Sequence, residues 1–132
     1  MQKQKMKKPI FTNKAPEALG PYSQAIQWKD IVFISGQIPL IASSGDLNNK
    51  TFHDQVTQVI DNLEAICIEA GGCLDSILKL TIFLTDLEKF DEVNQIMGKR
   101  FSEPFPARAT IEISKLPKGA DIEMDAILAL EV

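Results

Sequence analysis

Residues 51–84 read TFHDQVTQVIDNLEAICIEAGGCLDSILKLTIFL, and the spacing of their apolar positions changes once along the stretch. In its first part Phe52, Val56, Val59, Ile60, Leu63, Ile66, Cys67 and Ala70 recur at steps of three and four. That spacing places them on one face of a helix of about five turns. Thr51 is positioned as its N-cap, with Asp54 three residues on as in a capping box, and Gly71-Gly72 supplies the left-handed exit. From Ile77 to Leu84 the step falls to two. Leu78, Leu80, Ile82 and Leu84 then share one face of a strand, and Lys79, Thr81 and Phe83 share the other. A long amphipathic helix delivering the chain into a strand is the unit from which the rest of the fold can be read.

Upstream, Pro9 to Thr12 is expected to form a short edge strand, and Asn13 to Tyr22, with Pro16, Gly20 and Pro21, a structured loop. Ser23 to Trp28 and Ile31 to Gln37 read as a hairpin across Lys29-Asp30. Ile31 to Ile34 is apolar without a break, as in a strand covered on both faces. Pro39 to Lys50 is a surface loop. Downstream, Thr85 to Glu88 turns into a second helix whose inner stripe is Phe90, Val93, Asn94, Met97 and Phe101. A strand follows from Ala107, then a loop from Ser114 to Gly119, then a last strand from Asp121 to about Leu130. This order predicts an α+β fold, a single mixed sheet of about six strands with both helices on one face. Phe83, Ile127 and Ala129 remain on the other face, which suggests association between chains.

The chain of 132 residues is read as one domain over residues 9–132, preceded by a basic tail over residues 1–8 with Lys3, Lys5, Lys7 and Lys8. No apolar run follows these lysines, so they are not read as a secretory signal. The net charge of −4 and pI near 5.0 argue against a nucleic-acid partner. No apolar run has the length of a membrane span, so no membrane partner is expected. Cys67 falls on the helix stripe as a core residue, and Cys67 and Cys73 match no metal-ligand spacing. A reducing cytoplasm is the expected compartment. His53, the one histidine, lies off the apolar stripe and reads as a solvated side chain.

Chemistry must come from polar residues in apolar settings: Tyr22, Ser35, Asn94, Arg108, Thr110 and Glu123. In Pro104-Phe105-Pro106-Ala107-Arg108-Ala109-Thr110-Ile111-Glu112-Ile113 the stiff Pro-Phe-Pro start sets where the strand begins, and so the direction of Arg108. A guanidinium on a rigid strand suits a carboxylate; a plain surface arginine is the competing reading. Asn94 interrupts an apolar stripe and needs hydrogen-bond partners. The inventory fits proton transfer and hydration chemistry, and equally a ligand-binding module.

Five blocks sharpen this. Ala18 to Ala25, Ser35 to Pro39, Phe90 to Asn94, Pro104 to Thr110 and Leu116 to Glu123 resemble, in order and spacing, the motifs of the Rid (YjgF-type) family. The match is similar above all to its RidA branch of enamine/imine deaminases. The resemblance implies a chorismate-mutase-like fold, a homotrimer with sites in clefts between subunits, and no metal or organic cofactor. It implies hydrolysis of imines released by pyridoxal-phosphate enzymes, as when 2-aminoacrylate becomes pyruvate and ammonia. Small 2-imino and 2-oxo acids would be the ligands. Carried over, the site comprises Tyr22, Ser35, Gly36, Asn94, Arg108, Thr110 and Glu123, with Thr110 where many relatives carry cysteine. Arg108 would hold the substrate carboxylate, Glu123 beside it would move protons, and Tyr22 would wall the cleft. Burial would raise the Glu123 pKa and the guanidinium would lower it. The same resemblance leaves two rivals, a non-catalytic carboxylate-binding regulator or chaperone-like trimer, and an endoribonuclease; the acidic charge weighs against the latter.

Overall fold

Strand β6 (Ile122–Ala129) runs through the middle of a six-stranded sheet in the computed structural model, which describes residues 6–131. The other strands are β1 (Lys7–Ile10), β2 (Ala25–Trp28), β3 (Ile31–Gln37), β4 (Ile77–Leu84) and β5 (Ala107–Glu112). Their spatial order is β1-β2-β3-β6-β4-β5. Every neighbouring pair is antiparallel except β4 with β5. Parallel neighbours require a crossover, and α2 (Phe90–Arg100) supplies it.

Helix α1 (Phe52–Ala70) begins and ends as its sequence dictates. The Thr51 hydroxyl accepts from the Asp54 amide at 3.0 Å. Gly71 adopts φ 101°, and the Gly71 and Gly72 amides reach back to the Ile68 and Cys67 carbonyls. Val56, Val59, Ile60, Leu63, Ile66 and Cys67 are buried against the sheet. They meet Val32 and Ile34 of β3, Leu80, Ile82 and Leu84 of β4, and Ile122, Met124, Ala126 and Leu128 of β6. Together with Val93, Ile96, Met97 and Phe101 these make one continuous core. The architecture is the α+β layer expected from the sequence. Among the described residues no helix is long and apolar enough to cross a membrane.

Three local readings are corrected. Strand β1 starts at Lys7, so Lys7 and Lys8 pair with Trp28 and Gln27 and are not tail, and the strand ends at Ile10, not Thr12. Residues 1–5, including Lys3 and Lys5, lie outside the described residues. The Ile31–Ile34 run is covered on one face only: Val32 and Ile34 are buried, whereas Phe33 is half exposed. In β4 a register irregularity between Ile77 and Lys79 buries Ile77 and turns Leu78 outward. The facing of β5, which alternation alone leaves open, is decided by its register: its apolar side faces away from the helices. Arg108 and Thr110 lie opposite Leu80 and Ile82, on the helix-covered face, so Ala107, Ala109 and Ile111 take the open one.

That open face carries Trp28, Phe33 and Ile111 at 46%, 50% and 45% exposure, with Phe83, Ile127 and Ala129 between them. Hairpin β2–β3 turns at Lys29, which takes a left-handed φ of 53° where glycine would be usual.

The burial pattern of α1 has a direct check. Ile60→Ala, at 0% exposure, should cost about 2–5 kcal/mol in chemical denaturation. Ile68→Ala, at 62% exposure on the opposite face, should change stability by less than about 0.5 kcal/mol. Equal costs would contradict this orientation of the helix.

Candidate functional site

Gln24 organises the first of two polar clusters. It stands buried at the start of β2, with its amide turned onto the preceding loop. Its Oε1 accepts from the Thr12 amide at 2.7 Å, and its Nε2 donates to the carbonyls of Thr12 at 3.0 Å and Pro16 at 2.8 Å. One side chain thus replaces the strand partner that this loop lacks, and the loop carries Tyr22. The Tyr22 amide donates to the Gly20 carbonyl at 2.8 Å, and the phenol stands 54% exposed with its proton uncommitted.

Opposite the loop, β3 departs from regular pairing with β6 between Ile34 and Gln37. Ser35 and Gly36 fall in that irregularity. The Ser35 amide donates to the Gln24 carbonyl at 2.9 Å and its hydroxyl to the Ser23 carbonyl at 2.6 Å. The Ser35 hydroxyl oxygen is therefore left to accept from a ligand. Gly36 makes room for Glu123: a Cβ there would lie 2.7 Å from Glu123 Oε2. The Glu123 carboxylate therefore packs directly against backbone. Burial, and secondarily the neighbouring Asp125 carboxylate, push its pKa above the usual glutamate value. A cavity of about 510 Å³ opens here, lined by Tyr22, Ser35, Gly36 and Glu123 and also by Leu19 and Lys118.

The second cluster lies where α2 meets β5. Arg108 donates through Nη1 to Asn94 Oδ1 and to Met97 Sδ at 3.6 Å. Its guanidinium carbon lies 5.0 Å from the centre of the Phe90 ring. Asn94 thus finds the partner that its place in an apolar stripe required. Among the described residues the ion pairs are those of Arg100 with Asp61 and Glu64, and Arg108 has none. A cavity of about 470 Å³ lies beside Arg108, walled by Phe105, Pro106 and Gly98. Two residues further along the same strand face, Thr110 Oγ1 is buried without a hydrogen-bond partner.

Of the seven residues singled out from the sequence, Tyr22, Ser35, Gly36 and Glu123 come together, and Arg108 and Asn94 come together near Thr110. The two sets do not meet. Arg108 pairs with Leu80 on the helix-covered face, whereas Glu123 pairs with Phe83 on the open face, and β4 lies between their strands. Within one chain, therefore, Glu123 does not stand beside Arg108. Within the chain the neighbouring charge that acts on Glu123 is Asp125, which adds to the effect of burial in raising its pKa, and no guanidinium of the same chain opposes it. Sequence reasoning passed over Gln24, Phe90 and Lys118. An amide at the head of a strand was the available signal for Gln24. Phe90 was assigned to packing alone, and nothing local marks Lys118, which lines the cavity from a left-handed φ of 59°.

The model of the Endoribonuclease L-PSP family matches residues 12–130. The RutC family protein y4sK of Sinorhizobium fredii is 45% identical over 95% of this chain and 99% of its own. A protein of Dermatophagoides farinae named 2-iminobutanoate/2-iminopropanoate deaminase is 34% identical over 95% of this chain and 98% of its own. Among solved structures, RidA from an Antarctic Psychrobacter superposes with a TM-score of 0.90 at 41% identity, covering 93% of this chain and 99% of that one. TdcF of E. coli, solved with bound serine, gives a TM-score of 0.86 at 33% identity, covering 94% and 99%. With motifs, fold and relatives in agreement, the chain belongs to the Endoribonuclease L-PSP family, the Rid (YjgF-type) family that its five sequence blocks resemble.

Proposed function

We propose that this protein is an enamine/imine deaminase that converts 2-aminoacrylate and related 2-imino acids to 2-oxo acids and ammonia. The observation that carries the reading is the division of its polar residues into two half-sites on opposite faces of the sheet. One holds a cation without a carboxylate partner among the described residues, and the other a carboxyl group whose pKa burial raises. Each lacks what the other has. In a trimer built on the apolar open face, Arg108, Asn94 and Thr110 of one copy meet Tyr22, Ser35, Gly36 and Glu123 of the next.

In the completed cleft Arg108 grips the substrate carboxylate through two N–H groups, with Phe90 and Asn94 holding the guanidinium plane. The orphaned Thr110 hydroxyl gains an acceptor in the same carboxylate. On the imine tautomer of the substrate, Glu123 takes a proton from water as the water oxygen adds to the C=N carbon, and hands that proton to the nitrogen to give the neutral carbinolamine. Glu123 then takes the carbinolamine hydroxyl proton and passes it to the departing nitrogen as the C–N bond breaks, so that the 2-oxo acid forms and ammonia leaves. Burial raises the Glu123 pKa and so makes the carboxylate the better proton acceptor, and the substrate carboxylate, by neutralising Arg108, weakens the opposing pull of the guanidinium. The reading as a carboxylate-binding regulator draws on the bound serine of the TdcF structure and requires only the Arg108 half-site.

In a coupled assay with a serine or threonine dehydratase, the protein should speed disappearance of the imine; unchanged decay would leave only the binding reading. Arg108→Lys should lose roughly 10- to 100-fold in activity, because an ammonium cannot reproduce the two-bond grip.

Sedimentation should give a species of about three times the 14.7 kDa chain. Arg108→Ala and Glu123→Gln chains should each be inactive alone. Refolded together, they should regain activity in roughly a quarter of their sites by random assortment. A monomer, or mixtures as inactive as the single variants, would refute the shared site.

The raised Glu123 pKa also sets a pH dependence of stability. A carboxyl whose pKa rises on folding costs stability when ionised. The cost is absent below the ordinary glutamate value of about 4.3, grows as pH rises through that value and the folded one, and is complete above both. Glu123→Gln should therefore melt higher than the parent at pH 7, with the two converging below about pH 4. A constant difference across that range, measured by scanning calorimetry, would contradict the assigned cause.

A further inference from the structure

On the helix-covered side of the sheet, a buried amide holds the residue immediately before β6. Gln55, in the first turns of α1, is 3% exposed and lies among Val56 and Val59. Its Nε2 donates to Asp121 Oδ2 at 2.8 Å, and its Oε1 accepts from the Asp121 backbone amide at 2.9 Å. The Thr85 hydroxyl donates to Asp121 Oδ1 at 3.1 Å, and the Thr85 amide donates to the Asp121 carbonyl at 3.1 Å. Asp121 is thus held from α1 and from the end of β4 at once. An amide in this stripe is costly unless bonded, and an apolar residue would serve packing alone equally well.

Asp121 lies two residues before Glu123. Between them β6 is paired on one side only: Ile122 and Glu123 face Leu84 and Phe83 of β4, whereas pairing with β3 near this end begins at Met124 with Gln37. On the opposite rim of the cavity the Glu123 carboxylate occupies the space that a side chain at position 36 would take, so a shift of β6 at Asp121 changes how that carboxylate meets the Gly36 backbone. On the other flank the Pro117–Gly119 turn, closed by the Ala120 amide on the Pro117 carbonyl at 3.2 Å, leads directly into Asp121 and brings Lys118 to the same cavity.

We propose that Gln55 is a positioning residue for Glu123, acting across the sheet through Asp121 and Thr85 to fix where the carboxylate stands over Gly36. The proposal rests on the deaminase reading for its catalytic consequence. It has a structural consequence that is independent of that reading.

The test exchanges donor and acceptor. Gln55→Glu sets a carboxylate against Asp121 and breaks the clamp. Adding Asp121→Asn restores both bonds with the side-chain polarity reversed, since the new amide donates to Glu and the backbone amide still finds an acceptor. Two readouts are followed in each protein: kcat with 2-aminoacrylate, and the titration of the Glu123 carboxyl carbon by NMR. Gln55→Glu should lower kcat about tenfold or more while the affinity for pyruvate at the Arg108 half-site stays unchanged. It should also shift the Glu123 titration. The double variant should recover kcat to within about threefold and return the titration to the parent value. Thr85→Val, which removes one bond to Asp121, should shift the titration less and in the same direction, and serves if Gln55→Glu does not fold. A Glu123 titration that ignores all three variants overturns the inference, as does a double variant that regains parental melting temperature without regaining kcat. An inactive parent protein in which the titration still follows the clamp refutes the deaminase reading and leaves the positioning role standing.

Discussion

Strict alternation along β6 is the constraint on which this structure depends. Ile122, Met124, Ala126 and Leu128 close the core beneath the helices, so Glu123, Asp125 and Ile127 must emerge on the other face. A shift of one residue would bury two carboxylates and expose four apolar side chains, an exchange that no surface interaction could offset. The carboxylate of Glu123 is thereby held on the open face by the energetics of the whole core. Gly36 then sets its depth, because any side chain at that position would occupy the space of the carboxyl group.

Arg108 is held by a different balance. Among the described residues strand β5 is the sheet edge, with no partner on its outer side, and the neighbours of Arg108 come from α2. Phe90 beneath the guanidinium and Asn94 at its end orient it without neutralising it. A carboxylate from the same chain would have satisfied the charge more strongly and left nothing for a ligand. Thr110, on the same strand face, leaves a buried hydroxyl unbonded. Polar capacity without an internal partner on a rigid scaffold suits binding from outside the chain.

The elements differ in how far local sequence accounts for them. Helix α1 was legible to its caps, because Thr51, Asp54 and Gly71 act within one turn of the helix ends. Strands β4 and β6 were legible from alternation, although β4 was misread at Leu78, where a register irregularity inverts the pattern for one residue. The Ile31–Ile34 run was misread as doubly covered because unbroken apolarity has two causes. A second layer of the same chain is one, and an exposed apolar face, here with Phe33, is the other. The tail was drawn two residues too long because lysines at an edge strand resemble lysines in a solvated tail.

By itself the sequence determined the periodic elements, the α+β class, the identity of the polar residues in apolar settings, and the family through its five ordered blocks. These follow from spacing along the chain, which sequence contains in full. Only the tertiary structure decided that Arg108 and Glu123 face opposite ways, and that Gln24 and Gln55 hold the segments around Glu123. Those facts depend on which strands become neighbours. Pairing β6 between β3 and β4, and β5 beside β4, is settled by the burial of the entire core, a sum over contacts far apart in the chain that no local pattern records.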